Sequence, residues 1–406
     1  MSANIPVDGN GITTKGLLLL LAIAPAFLVR YLQYGDLLMA TGAAAAAIGI
    51  LSVAATSLSE KASDLFWTAF VFFLIVIVCK SQPAFAAAAW GTWLVRETSL
   101  NLPLLGGNSI GTAPSARSVF AQAAASFVVA SILIIWASGG TLTLWLSLGF
   151  AAVLLAVAAF VSRRLRSEVA APLPELAAVT LLAGIFGFNP IYMLYGKPLL
   201  LSAAVAGVCA FLLYKVSLIG KTAVPAFALY GTIVYFALDT SGFAFFIVFL
   251  IICETGDKIN KRPDNLRLMN KPGLFSARAL PSILLAAVSV GWEDPFLFYL
   301  AFAGSLSAAA FMQWFPAISE KQSGGITGVK NFITGSVGAS LMAICASLFN
   351  FIPSEAILIV LLAGVTPILT AQLTKSLAKP EKDAKYIPAL LGAAAAAFLH
   401  NIILLH

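Results

Sequence analysis

The stretch "KTAVPAFALYGTIVYFALDTSGFAFFIVFLIICETGDKINKR" (221–262) holds two apolar runs, split by the short polar break "DTSG" (239–242) and closed by a burst of charge. Apolar runs of this kind form membrane-crossing helices, because only a helix satisfies its own backbone polar groups in hydrocarbon. The pattern predicts spans at 221–238 and 241–255. The lysine- and arginine-free turn between them belongs on the side opposite the cationic end.

The same reading extends along nearly the whole chain. Spans are expected near 16–33, 36–56, 64–80, 117–137, 140–161, 174–192, 197–214, 221–238, 241–255, 279–292, 295–314, 331–350, 354–373 and 387–405. Residues 82–95, "QPAFAAAAWGTWLV", are too short to span comfortably, so a re-entrant or interfacial segment is expected there. The fold class is thus all-α, a polytopic transmembrane helical bundle of about 14 spans. Composition agrees. Of 406 residues 60% are hydrophobic and 10% charged, against about 25% charged in a soluble domain. The mean hydropathy is +0.97.

Charge bias orders the loops. Arg163, Arg164 and Arg166; Lys215 and Lys221; Lys258 to Arg278; Lys321 and Lys330; and Lys375 to Lys385 are separated by pairs of spans. The positive-inside rule puts all five groups on the cytoplasmic side. The connections "DTSG", "WEDP" (292–295) and "NFIPSE" (350–355) carry no cation and fall on the other side. With 82–95 re-entrant both termini lie outside; if it spans, the N-terminus lies inside. The linker "RRLRSEVAAPLPE" (163–175) divides an N-terminal half, 1–168, from a C-terminal half, 169–406. A multi-pass location in a bacterial inner (plasma) membrane or an organellar, thylakoid-type membrane is expected.

The net charge of +7 is spread over short loops without aromatic interleaving, which speaks against nucleic acid as a partner. Cys79, Cys209, Cys253 and Cys345 lie in or at the ends of apolar runs with no CxxC spacing, and read as core residues. The run after Lys15 lacks a clear cleavage site and reads as the first span. The alanine-rich stretches "TGAAAAAIGI" (41–50) and "LGAAAAAFLH" (391–400) suit close helix packing in lipid. Asn189–Pro190 and Pro367 fall inside expected spans and predict kinks.

No expected span carries a central acid or base, which disfavours a midplane ion-coupling carboxylate. Candidate chemistry lies at span ends. Glu254 and Asp257, three apart, share a face if the helix continues, and such a pair could hold Mg²⁺ with Lys258 beside the phosphate it carries. A solvated helix end followed by topology-setting cations explains the same residues. "GGNSIGTAPSARS" (106–118) offers amides, hydroxyls and Arg117 to an anion, without the ending of a P-loop. "SGGITG" (323–328), before a helix expected near Lys330, offers further backbone amides.

From about 200 to 350 the order of features resembles the phytyl-phosphate kinase-like integral membrane family, related to CTP-dependent prenol kinases and CDP-diacylglycerol synthases. The likeness runs through 221–262, then "ARALPSILLAAV" (277–288), then "YLAFAGSLSAAAFMQWFPAISEKQSGGITGVKNFITGSVGA" (299–339). A weaker likeness to the prenol-kinase helix start covers "ARSVFAQAAASFVVASIL" (116–133). Ser319 and Glu320 match the end of the family's acidic stretch, and Gly324, Gly325 and Gly335 its glycines. Phe315 and Pro316 stand where its aspartate and threonine would be, which implies altered or lost chemistry.

The resemblance implies an integral membrane protein of isoprenoid or lipid-phosphate metabolism. Its reaction would be phosphoryl or cytidylyl transfer from CTP, GTP or ATP to a lipid or isoprenoid phosphate at the cytoplasmic face. Glu254, Asp257 and Glu320 would then serve as catalytic, Mg²⁺-side acids. Lys258, Lys321, Lys330 and Arg117, with Gly324 and Gly325, would bind phosphate. The missing aspartate leaves open a non-enzymatic transporter or flippase of a lipid-linked or amphipathic substrate, or a structural partner of another membrane enzyme.

Overall fold

The computed structural model describes residues 71–72, 75, 83–99, 116–137, 145–165, 173–188, 196–221, 223–262, 267–268, 272–290, 295–315, 325–368 and 387–403. All regular structure among them is helical, with no strand. The helices are α1 (Pro83–Ser99), α2 (Ala116–Ala137), α3 (Trp145–Leu165), α4 (Leu173–Phe188), α5 (Gly196–Lys215), α6 (Val224–Ile259), α7 (Pro272–Ser289), α8 (Phe296–Trp314), α9 (Gly325–Leu348), α10 (Ile357–Val365) and α11 (Ile387–Ile403). Among the described residues, three stretches are long and apolar enough to cross a membrane: α6, α8 and residues 331–348 of α9. The chain therefore associates with a membrane. The expected spans at 16–33 and 36–56, and most of 64–80, lie outside the described residues, as does the first alanine-rich stretch.

The chain divides into two compact units, residues 1–160 with 186–188, and residues 161–185 with 189–406. In the first unit α1 packs on α2. Residues 84–93 of α1 are almost all below 3% exposed around the whole helix, with Trp93 at 5%. A helix buried on every side is not an interfacial one, which would keep a polar face in water. Residues 83–99 thus form a helix whose stretch 84–93 is buried in this unit, which sets aside the interfacial alternative for 82–95.

In the second unit, α6 is folded back on itself. Asp239 has φ 55° and ψ −163°, a backbone region that side-chain-bearing residues rarely occupy. In a straight helix Phe227 and Phe246 would stand about 28 Å apart. Their rings instead stack at 5.8 Å, so the limbs 224–238 and 240–259 run antiparallel. The turn falls in the "DTSG" break, as the sequence predicts. The second limb continues four residues beyond the expected end at 255, to Ile259.

Helix α8 is the centre of this unit, packed against α6, α7, α9, α10 and α11. Nearly every residue from Leu300 to Trp314 is buried. Its small residues make that crowding feasible: a Cβ at Gly304 would meet Ala396 Cβ at 2.7 Å and the Gly392 carbonyl oxygen at 2.8 Å. The alanine-rich stretch 391–400 thus serves close packing, as small residues do between membrane helices.

Phe351 stacks on Phe245 and Tyr299, bringing the cation-free connection 350–355 to the same end as the "DTSG" turn and the start of α8. The charged segment 254–262 lies at the opposite end, as the loop charges predict. Two proline sites lie at helix ends. Helix α4 stops at Phe188, just before Asn189–Pro190, and α10 closes at Val365, two residues before Pro367. Thr366 keeps helical backbone angles and residues 367–368 are helical again, so the chain is interrupted at Pro367 as a proline kink would do, while residues 189–195 lie outside the described residues. Helix α9 begins at Gly325, not near Lys330, so the last four residues of "SGGITG" are helical.

A buried polar cluster at the cationic end

The end of α6 is built by its own backbone. Lys261 adopts φ 50°, its N–H donates to the Lys258 carbonyl oxygen, and the Arg262 N–H donates to that of Asp257. This is a Schellman closure, which normally places glycine at the left-handed position. It turns Asn260 and Arg262 toward the end of α8. There Asn260 Nδ2 donates to the Trp314 carbonyl oxygen at 2.9 Å and to that of Gln313 at 3.2 Å. Arg262 Nη2 donates to the Phe315 carbonyl oxygen at 3.0 Å. The last carbonyls of a helix have no intrahelical partner and carry its negative dipole end, so an amide and a guanidinium suit them.

Asp257 organises the interior of the cluster. It is fully buried, and its Oδ2 accepts from the Leu268 N–H at 2.9 Å. Its Oδ1 accepts from Gln313 Nε2 and lies 3.2 Å from Arg262 Nη1. Gln313, also fully buried, accepts from Arg278 Nη1 at its Oε1. The Gln313 amide thus bridges an acid on α6 and a base on α7.

Glu254 is also buried, with Oε1 3.6 Å from both Lys258 Nζ and Arg267 Nη1. Arg267 Nε also donates to the Arg262 carbonyl oxygen at 3.3 Å. Trp314 fastens the helices beside the cluster. Its Nε1 donates to the Ile252 carbonyl oxygen at 2.8 Å. A Cβ on Gly256 of α6 would lie 2.6 Å from its ring, and one on Gly338 of α9 2.7 Å.

Of the residues singled out in the sequence, Glu254, Asp257 and Lys258 do come together. Glu320, Lys321 and Gly324 lie outside the described residues, and the structure places only the backbone of Gly325, Lys330 and Arg117. Gly325 opens α9, so its first-turn amides have no intrahelical acceptor. Arg117 is the second residue of α2, in the other unit. Phe315 packs its ring on Phe311 and gives its carbonyl to Arg262.

The acid pair does not fit Mg²⁺ as arranged. Asp257 is filled by three protein donors, and Glu254 is held by two cations. Among the described residues no three His, Cys, Asp or Glu side chains group to hold a metal.

Arg262, Arg267 and Arg278 read in the sequence as topology-setting charge, and Asn260, Gln313 and Trp314 drew no notice. One usable signal was present: Gln313 is a polar amide in the last turn of an otherwise apolar helix. No protein-family model, curated protein or solved structure matches the chain.

Proposed function

We propose that this membrane protein recognises a phosphate-bearing lipid at the cationic end of the α6–α8 junction, in isoprenoid or lipid-phosphate metabolism. The observation that carries the reading is the charge imbalance of the cluster. Among the described residues four cations, Lys258, Arg262, Arg267 and Arg278, gather around two carboxylates, Glu254 and Asp257. Asp257 takes up Arg262, and Glu254 is shared between Lys258 and Arg267. Among the described residues Arg278 has no carboxylate within ion-pair distance and is held through the neutral oxygen of Gln313. A phosphate is the natural complement of such guanidinium groups.

In this reading the acids orient the cations and do not carry a metal. The loss of an aspartate at Phe315 accords with recognition without group transfer, as in a transporter or flippase of a lipid-linked substrate. The test is a thermal-shift titration of the protein in nanodiscs. Phosphatidic acid is expected to raise the melting temperature over phosphatidylcholine, since a ligand of the folded state alone stabilises it. No difference between the two lipids would overturn the reading. Stabilisation only by CTP, GTP or ATP with Mg²⁺ would replace it with nucleotide-dependent transfer.

A further inference from the structure

The last turns of α6 combine two surfaces that meet along one edge. Ile251, Thr255, Lys258 and Ile259 all lie within about a third of the helix circumference at 100° per residue. All four are exposed: Ile251 45%, Ile259 54% and the Lys258 side chain 64%, with Thr255 in the same class. Glu254 borders this strip on the side leading inward to Asp257. The strip offers hydrocarbon no free hydroxyl donor, because Thr255 Oγ1 donates back to the Ile251 carbonyl oxygen at 2.8 Å. It is suited to lipid chains, and its upper edge is suited to an anion.

The cluster is graded along the same direction. Lys258 is the most exposed cation, and the Arg267 side chain is 28% exposed. Behind them lie Arg262, 15% exposed, and the buried pair Asp257 and Gln313. Limb 240–259 is about 30 Å long, matching the hydrocarbon thickness. With Ile259 at one boundary, Ile251 sits about 12 Å into the apolar layer. A tail lying against Ile251 and Thr255 would therefore present its headgroup at Lys258 and Arg267.

We infer that the lipid binds from the side. Its tail stays in the bilayer on the Ile251–Thr255–Ile259 strip, and only its phosphate enters the cluster, past Lys258 toward Arg267 and Arg278. This rests on the phosphate-lipid reading above and adds the tail's position and the direction of entry. It sets the ligand class as a membrane-resident phosphate monoester, taken without extraction from the bilayer.

The experiment places a tryptophan on the strip, Thr255→Trp, in nanodiscs containing phosphatidic acid or phosphatidylcholine with brominated chains, read as the difference from the unsubstituted protein. Quenching by the brominated phosphatidic acid is expected at a several-fold lower mole fraction than by the phosphatidylcholine. Lys258→Gln with Arg267→Gln is expected to erase that preference. Ile259→Trp serves as a second probe should the first variant fold poorly. Equal quenching by both lipids, with phosphatidic acid still raising the melting temperature, would overturn lateral entry and leave headgroup recognition standing. Inorganic phosphate giving the same thermal shift as the lipid would overturn it too, since the tail would then contribute nothing. Neither quenching preference nor thermal shift with phosphatidic acid would remove the phosphate reading itself.

Discussion

Gln313 on α8 donates its amide N–H to Asp257 on α6, and both side chains are fully buried. The same amide accepts from Arg278 on α7, so a neutral group links an acid on one helix to a base on another. Asp257 is thereby left to Arg262 and the Leu268 amide, while Arg278 has no carboxylate within ion-pair distance among the described residues. Substituting Gln313→Leu strips a hydrogen bond from each of two charged groups. Bonds to charged groups contribute about 1.5–3 kcal/mol each, so a loss of roughly 3–6 kcal/mol is expected in denaturant unfolding of the detergent-solubilised protein. Gln313→Glu is expected to hold Arg278 in an ion pair and to weaken the response to phosphatidic acid.

The pair Asp257 and Arg262 is coupled more tightly than a surface ion pair. Removing one partner of a buried pair leaves an uncompensated charge, at about 3–5 kcal/mol. Asp257→Ala and Arg262→Ala are each expected to destabilise by that order. The double variant should cost clearly less than the two together. Additive losses in the same unfolding measurement would show that the two residues act separately.

Trp314 is wedged where neither neighbouring helix can carry a side chain. Alanine at Gly256 or Gly338 would bring a methyl within 3 Å of the indole. Overpacking of this kind costs about 1–3 kcal/mol, and a comparable loss is expected for each variant in thermal unfolding. Adding Trp314→Leu to Gly256→Ala should recover part of that loss. A further fall in stability would show that the Trp314 N–H bond to Ile252 outweighs the crowding.

The hairpin of α6 was legible because "DTSG" interrupts an apolar run, and such a break has few other uses in a membrane chain. The end of α4 at Phe188 was legible in kind, since Asn189–Pro190 must disturb a helix, although termination and kinking look alike in sequence. The closure at Lys261 was not legible, because left-handed positions are recognised by glycine and this one is a lysine among lysines. The Arg278–Gln313–Asp257 chain was hidden for a different reason. Its members are 35 and 56 residues apart, and each alone resembles an ordinary helix-end residue.

Backbone strain gives an independent check on the two unusual turns. Asp239, at φ 55° and ψ −163°, occupies a region that costs a side-chain-bearing residue about 1–3 kcal/mol. Lys261, at φ 50°, carries the smaller penalty of the left-handed helical region. Asp239→Gly is expected to raise stability by about 1 kcal/mol, and Lys261→Gly by less. Asp239→Val is expected to lower it. A loss with Asp239→Gly would mean that the carboxylate makes a contact worth more than the strain.

Arg278 separates the stability of the cluster from its binding role. With no carboxylate partner among the described residues, its removal strands only the neutral Gln313 oxygen, a loss of about 1–3 kcal/mol. Its guanidinium, by contrast, is the cation with charge to spare for a phosphate. Arg278→Gln is therefore expected to shift the unliganded melting temperature modestly while lowering phosphatidic acid affinity at least tenfold, which corresponds to about 1.4 kcal/mol. Arg278→Lys keeps the charge but loses the planar fork that meets two phosphate oxygens at once, so it should fall between the two. The measurement is lipid titration followed by thermal shift for all three proteins under one salt condition. Unchanged affinity in Arg278→Gln would mean that the phosphate stops at Lys258 and Arg267, and that Arg278 serves the fold alone.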